Sequence, residues 1–249
     1  MEALRILDNL YVLPQRALIY KDYAIIADLH LGFEEEMAKK GVFLPPAQLK
    51  RALEVLNVIR KVAKKVIIAG DLKHQFSRLG KKEEEDVKKF LDAVEKYKLD
   101  LVLVRGNHDT FVRHLLEERG FDVVDRLDLG EVSIVHGHKD VELNEITIMG
   151  HEHPSISLRD PVGTAVKFPC FLKVPVEGRT VIVLPAIGLY QSGTSVSLSK
   201  EAYLSPIMKR AALEEAVPYV ADEEVGVVEF PPLGELADVL VSDAIRIVP

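Results

Sequence analysis

The chain has one cysteine, Cys170, in 249 residues, which excludes an internal disulfide and any multi-cysteine zinc or iron-sulfur site within it. Tryptophan is absent. No apolar run approaches the ~18 residues of a membrane span, and Met1-Glu2-Ala3-Leu4-Arg5 lacks the apolar core of a secretory leader. A reducing, cytoplasmic setting without a membrane follows as the expectation. Excess positive charge is missing too: the formal net charge is −7, which argues against coating nucleic acid by bulk electrostatics. The phosphate-cradling Gly-x-x-x-x-Gly-Lys-Ser/Thr loop does not occur, so P-loop nucleotide hydrolysis is excluded. His151-Glu152-His153 is not a zinc-protease helix motif, because position 155 is serine.

What is present is a repeated device. Val66-Ile67-Ile68-Ala69 stops at Gly70-Asp71, so an apolar, β-branched strand hands a carboxylate to the loop at its C-terminal end. Ala24 to Ala27 leads in the same way to Asp28-Leu29-His30, and Leu101 to Val104 leads to Arg105-Gly106-Asn107-His108-Asp109. In the second half, Val132 to Val135 ends at His136-Gly137-His138, and Ile146 to Met149 at Gly150-His151-Glu152-His153. Strand ends at a sheet's carboxyl edge are where open α/β folds carry chemistry.

Helical spacing between the early strands predicts crossovers: Glu34 to Lys40, a segment from Pro46 to Lys64, and one containing Phe90, Leu91 and Val94. The charge run Lys81 to Lys89 reads as the solvated face of that last helix. A short helix is expected from Phe111 to Glu118. Short strands without long helices follow Phe121, which implies a second sheet. Ile207 to Ala216 is expected to be helical, and Ser192 and Ser195 to be ordinary loop residues. No linker or repeat divides the chain, so residues 1–249 read as one α/β domain.

Of the eight histidines, only His114 falls outside such a strand-end loop. Carboxylate, imidazole and one amide without thiolate form a hard-to-borderline ligand set, suited to Mn²⁺, Fe, Zn²⁺ or Mg²⁺. The ligands suffice for two divalent ions, and Asp71 is the natural bridge between them. Two residues separate His136 from His138, and His136, nearer the apolar run, is the preferred ligand. Lys73, His74, Arg105 and His138 are candidate substrate contacts, with ordinary loop polarity or a salt bridge as the competing reading.

Asp28-Leu29-His30, Gly70-Asp71, Gly106-Asn107-His108-Asp109, His136-Gly137-His138 and Gly150-His151-Glu152-His153 together resemble the ordered motifs of the calcineurin-like metallophosphoesterases. Gly70 to His74, Gly150 to Pro154, and Leu184-Pro185-Ala186 with Gly193-Thr194 are most similar to the SbcD-like, or PdeM-like, group of predicted phosphoesterases. The resemblance implies a four-layer α/β/β/α sandwich of two mixed sheets flanked by helices. It implies that Asp28, His30, Asp71 and His153 hold one ion, while Asp71, Asn107, His136 and His151 hold the other. Mn would be the first choice, with Fe, Zn, Mg, Ni and Co as alternatives.

His108, oriented by Asp109, would stabilise the phosphoryl oxygen or protonate the leaving group while a metal-bridging hydroxide attacks in line. The implied activity is phosphodiester hydrolysis, with DNA or RNA as the candidate substrate. A small-molecule phosphatase, a nucleotidase or a cyclic-nucleotide phosphodiesterase is the enzymatic alternative. A protein-binding scaffold with a vestigial site is the non-enzymatic one.

Overall fold

The computed structural model describes residues 3–76, 79–159, 165–191, 193–236 and 245–246. A first sheet is built from β1 (Leu4–Leu7), β2 (Leu10–Val12), β3 (Leu18–Tyr20), β4 (Tyr23–Ile26), β5 (Lys65–Ile68), β6 (Asp100–Val104) and β7 (Asp122–Val124), ordered as in the chain. Its first four strands form an antiparallel meander, and β4 to β7 run parallel. The parallel crossovers carry α1 (Phe33–Lys39), α2 (Gln48–Ile59), α3 (Lys81–Lys96) and α4 (Arg113–Glu117). Parallel strands need covered faces. Ala24, Ile26, Val66 and Ile68 therefore pack toward the helices, while the alternating Ile25 and Ile67 face the second sheet.

The second sheet contains β8 (Leu127–Leu129), β9 (Val132–Val135), β10 (Ile146–Met149), β11 (Pro154–Arg159), β12 (Ala165–Val176), β13 (Arg179–Val183), β14 (Thr194–Ser195), β15 (Val217–Asp222), β16 (Gly226–Glu229) and β17 (Ile245–Arg246). β10 lies parallel to β9 and β13, and the remaining pairings are antiparallel except where β11 meets β14 and β17. Ile134, Ile148, Phe171 and Ile182 meet the first sheet across one core, and Val135, Met149, Val181 and Val183 point into another on the far side. Among the described residues no helix is long and apolar enough to cross a membrane.

The outer cover of the second sheet differs from expectation. Ile207 to Ala216 is not one helix but two 3₁₀ turns, Met208–Arg210 and Leu213–Glu215. Between them Ala211 bridges Val176, and the Ala212 N–H donates to the Pro175 carbonyl at 2.9 Å. Pairing with β12 holds this stretch extended, so Met208 and Leu213 enter the core from separate turns. Helix α2 is also shorter than its periodicity suggests, running from Gln48 to Ile59. Pro46 precedes it, and the Glu34 carboxylate takes the Ala47 and Gln48 N–H groups at 2.9 and 2.8 Å in place of a local cap. Ser195 lies in β14, whereas Ser192 falls outside the described residues.

Candidate metal centre

Register brings the ligand loops together. Ile26 pairs with Ile68 and Ile68 with Leu103, so the loops carrying Asp28, Asp71 and Asn107 leave one edge side by side. Met149 pairs with Val135 and Val183, which aligns the loops of His136 and His151 on the facing sheet. The two edges are then stitched. Asp28 N–H donates to Gly70 O and His30 N–H to Asp71 O, both at 3.0 Å, and Gly188 N–H from the second sheet reaches Asp28 O at 3.0 Å. Close approach demands missing side chains at Gly70, where a Cβ would overlap the His136 ring, and at Gly106, where it would overlap the Asp71 carboxylate.

Two candidate ligand sets contain an aspartate, Asp28 with His30 and His153, and Asp71 with His136 and His151, and a third group, His30 with His74 and His108, stands at the rim; in each the potential donor atoms lie within 4.8 Å of one another. Asp71 Oδ2 lies 3.3 Å from His136 Nε2 and 3.8 Å from His30 Nε2, so it faces both sets. His108 N–H holds the other oxygen, Oδ1, at 2.9 Å. Asn107 Oδ1 stands 3.0 Å from His136 Nε2, while His136 Nδ1 donates to Ala69 O at 2.9 Å and so turns Nε2 toward the centre. Asp28 and Asp71 are 0% and 2% exposed. Two buried carboxylates among imidazoles are costly unless cations are shared between them.

The residues fit divalent ions on a physical test. Among the described residues, Asp28 Oδ1, His30 Nε2 and His153 Nε2 are buried without a well-aligned hydrogen bond, although His153 Nε2 stands 3.2 Å from Asp28 Oδ1. Buried polar atoms are otherwise satisfied in native proteins, and these three belong to one ligand set. Burial pushes the His30 pKa down to about 3 and that of His151 to about 4, which keeps both imidazoles neutral with lone pairs available. Burial alone would raise Asp71, but the hydrogen bond and charge of His136 hold it well below the usual carboxylate range. Burial would likewise lower His136, and Asp71 instead raises it to about 9.

The remaining sequence candidates divide. His74 joins the centre's rim: its Nδ1 is 3.3 Å from His30 Nδ1 and its Nε2 is 3.3 Å from Glu36 Oε2. His108 turns Nδ1 to the His74 carbonyl, its ring is packed against Phe76 with centroids 3.7 Å apart, and its Nε2 lies 3.9 Å from Asp71 Oδ2. Asp109 does not orient His108. Its buried carboxylate accepts the N–H groups of Asp71, Leu72 and Gly106 at 2.7, 2.9 and 2.8 Å, so it ties two ligand loops together.

Lys73 is fully buried with its ammonium turned back to the Gln75 carbonyl, which removes it as a substrate contact. Arg105 is engaged at the surface by Asp125 at 2.6 and 3.0 Å. His138 sits beside His136, ring centroids 5.3 Å apart, and belongs to neither ligand set.

Two charged residues of the run, Glu83 and Asp86, are buried and not part of a solvated face. Glu83 is fully buried, and its carboxylate takes the N–H groups of His74, Gln75 and Gly80 at 2.8, 2.8 and 3.2 Å. Asp86 is paired by Lys82 one turn away, and Lys88 and Glu84 form the expected exposed pair. Glu83 is the third residue of α3, whose N-cap is Gly80, and that capping-box position was the one signal in the sequence for its role. Glu36 carried no comparable signal.

The chain was compared with known proteins. The family model for calcineurin-like phosphoesterases matches residues 22–211. Among solved structures, the Pseudomonas putida nuclease MPE aligns over 92% of this chain and 99% of its own, at 20% identity and a TM-score of 0.66, which is likeness of fold. The E. coli phosphoesterase YfcE aligns over 66% of this chain and 79% of its own, at 18% identity and a TM-score of 0.37. No curated protein sequence matches. Since the family match takes in every ligand loop from Asp28 to His153, the chain belongs to the calcineurin-like phosphoesterases and is a metal-dependent phosphoester hydrolase.

Proposed function

We propose that the chain is a two-cation phosphodiesterase whose substrate class is nucleic acid. The observation that carries the reading is the position of Asp71, whose Oδ2 faces both His30 and His136 and so is shared between the two aspartate-containing donor groups. Asp28, His30, Asp71 and His153 would hold one ion, and Asp71, Asn107, His136 and His151 the other. When bound, divalent cations, Mn²⁺ first, supply Lewis acidity that activates water and neutralises charge on the phosphoryl oxygens.

The protein's own part is positional and acid-base. His108 donates from Nδ1 to the His74 carbonyl, which leaves Nε2 directed toward the centre. Protonated there, it donates to a phosphoryl oxygen and passes the proton to the departing alkoxide. Asp109 and Glu83 hold the loops that present Asp71 and His74. The nuclease with which this chain shares its fold supports the diester assignment over a monoester one.

Hydrolysis of bis-p-nitrophenyl phosphate is to be measured beside p-nitrophenyl phosphate, on metal-stripped protein re-supplied with Mn²⁺. Diester turnover should dominate. Asp71→Asn and His108→Ala should each lower kcat by about 100-fold or more, with the far-UV circular dichroism unchanged. Full metal-dependent turnover in both variants would sink the mechanism, and a dominant monoesterase activity would move the assignment to a small-molecule phosphatase or nucleotidase.

A further inference from the structure

A cavity of about 240 Å³ opens beside His153, with Arg16, Ser155, Lys167, Gln191 and Gly193 in its wall. Among the described residues no carboxylate lines it, although the chain carries a net charge of −7. Arg16 occupies the turn between β2 and β3 with a left-handed φ of 66°, and its Nη1 donates to the Ala186 carbonyl at 3.1 Å. Among the described residues it has no carboxylate within 4.0 Å. Burial pulls its pKa down to about 10, with Arg51 adding to the effect and the carboxylates of Glu223 and Asp222 opposing it, so it remains a cation at neutral pH. Lys167, from β12, points its ammonium across the cavity's rim to the Gly193 carbonyl at 3.3 Å.

The orientation of Gln191 follows from its neighbours. The Leu189 N–H donates to Gln48 Oε1 at 2.6 Å, which makes the other amide atom of Gln48 the NH₂ group. That group donates to Gln191 at 2.9 Å, so the accepting atom is Oε1. Among the described residues Gln191 Nε2 is then a buried donor without a partner. The wall therefore offers two cations and an unpaired amide N–H, which is the chemistry of an anion site. The cavity is large enough for a phosphate, and it is the cationic and amide donors of its wall that suit one.

We propose that this cavity seats a second phosphate of the substrate, one linkage removed from the phosphodiester held at the neighbouring centre, with Arg16, Lys167 and Gln191 as its donors. The inference rests on the phosphodiesterase reading and adds to it a requirement for a chain of phosphates. His153 forms part of the wall of this cavity and also belongs to a ligand set, so an occupant here touches the same side chain that holds the reacting end.

The test is a binding measurement on the Mn²⁺-loaded protein, so that it does not depend on turnover. Thymidine 3′,5′-bisphosphate and thymidine 5′-monophosphate are titrated by calorimetry into wild type, Lys167→Gln, Arg16→Gln and the remote control Lys89→Gln. Wild type and the control should bind the bisphosphate about 10-fold or more tighter than the monophosphate, the worth of one charge-assisted contact. In Lys167→Gln and Arg16→Gln that preference should fall to about 3-fold or less.

Lys167 is exposed, so its variant remains informative if Arg16→Gln fails to fold. Equal affinities in wild type, or a preference untouched by Lys167→Gln, would overturn the proposal. A wild type that prefers the bisphosphate but cleaves no diester would support the pocket and sink the phosphodiesterase reading instead.

Discussion

Asp28, His30, Asp71, His151 and His153 have φ values of 57°, 47°, 55°, 71° and 47°, a left-handed backbone that costs a residue with a side chain about 1 kcal/mol or more. Such strain persists only where surrounding structure imposes it, and here it turns successive side chains of each loop toward one point. A further residue-scale device supports His30. If His30 Nε2 faces an ion, its Nδ1 carries the proton and donates to His74 Nδ1, and His74 Nε2–H then donates to Glu36. Outer partners of this kind fix tautomer and ring orientation. Glu36→Gln should weaken Mn²⁺ binding about 10-fold by titration calorimetry. An unchanged Kd would show that Glu36 does not act through this chain.

At the scale of elements, each strand of the parallel core ends in a loop that must leave the sheet, carry a ligand and still satisfy its own N–H groups. The solution comes from carboxylates distant in sequence. Asp109 serves the loops after β5 and β6, and Glu83, from the first turn of α3, serves the loop after β5. Glu83→Ala leaves buried N–H groups unpaired at His74 and Gln75 and is expected to cost about 3 kcal/mol. Urea unfolding would measure it, and a loss below about 0.5 kcal/mol would mean the loop finds other partners. Gly70→Ala places a Cβ against His136 at a left-handed φ of 91°, and should lower both stability and Mn²⁺ affinity. Retention of both in the variant would show that the loops can move apart.

For the whole molecule, three apolar layers alternate with the two sheets: one under the helices, one between the sheets, and one beneath the 3₁₀ turns. The centre lies where both sheets end, with buried like charges that ions would relieve. Manganese at about 100 times its Kd should stabilise the fold by about 2.7 kcal/mol per site. Differential scanning calorimetry would show this as a higher Tm than in chelator, and identical curves would contradict ion binding at the buried carboxylates. Cys170 reports on the layer beneath the 3₁₀ turns. It is 0% exposed, and burial pushes its thiol well above the usual range. Thiol reagents should therefore label it only as fast as that layer opens, and labelling at the rate of the unfolded chain would contradict its burial.

Strand, then glycine or ligand, is a local pattern, so the sequence by itself determined the apolar strands, the loops that end them, and the aspartates and histidines that the fold gathers into the candidate centre. A second sheet was legible in the short strands after Phe121, but β4 and β5 are apolar on both faces, so which face meets the helices and which the second sheet came from the structure. Only the tertiary structure decided where the longer and more ambiguous side chains go. Lys73 folds back on Gln75, Arg105 meets Asp125, and Asp109 turns to backbone amides. Ile207 to Ala216 follows β12 instead of its helical spacing. The reason is range: ligand type and strand ending are properties of a few adjacent residues. The partner of Gln191 lies 143 positions away in Gln48, where no local pattern can specify it.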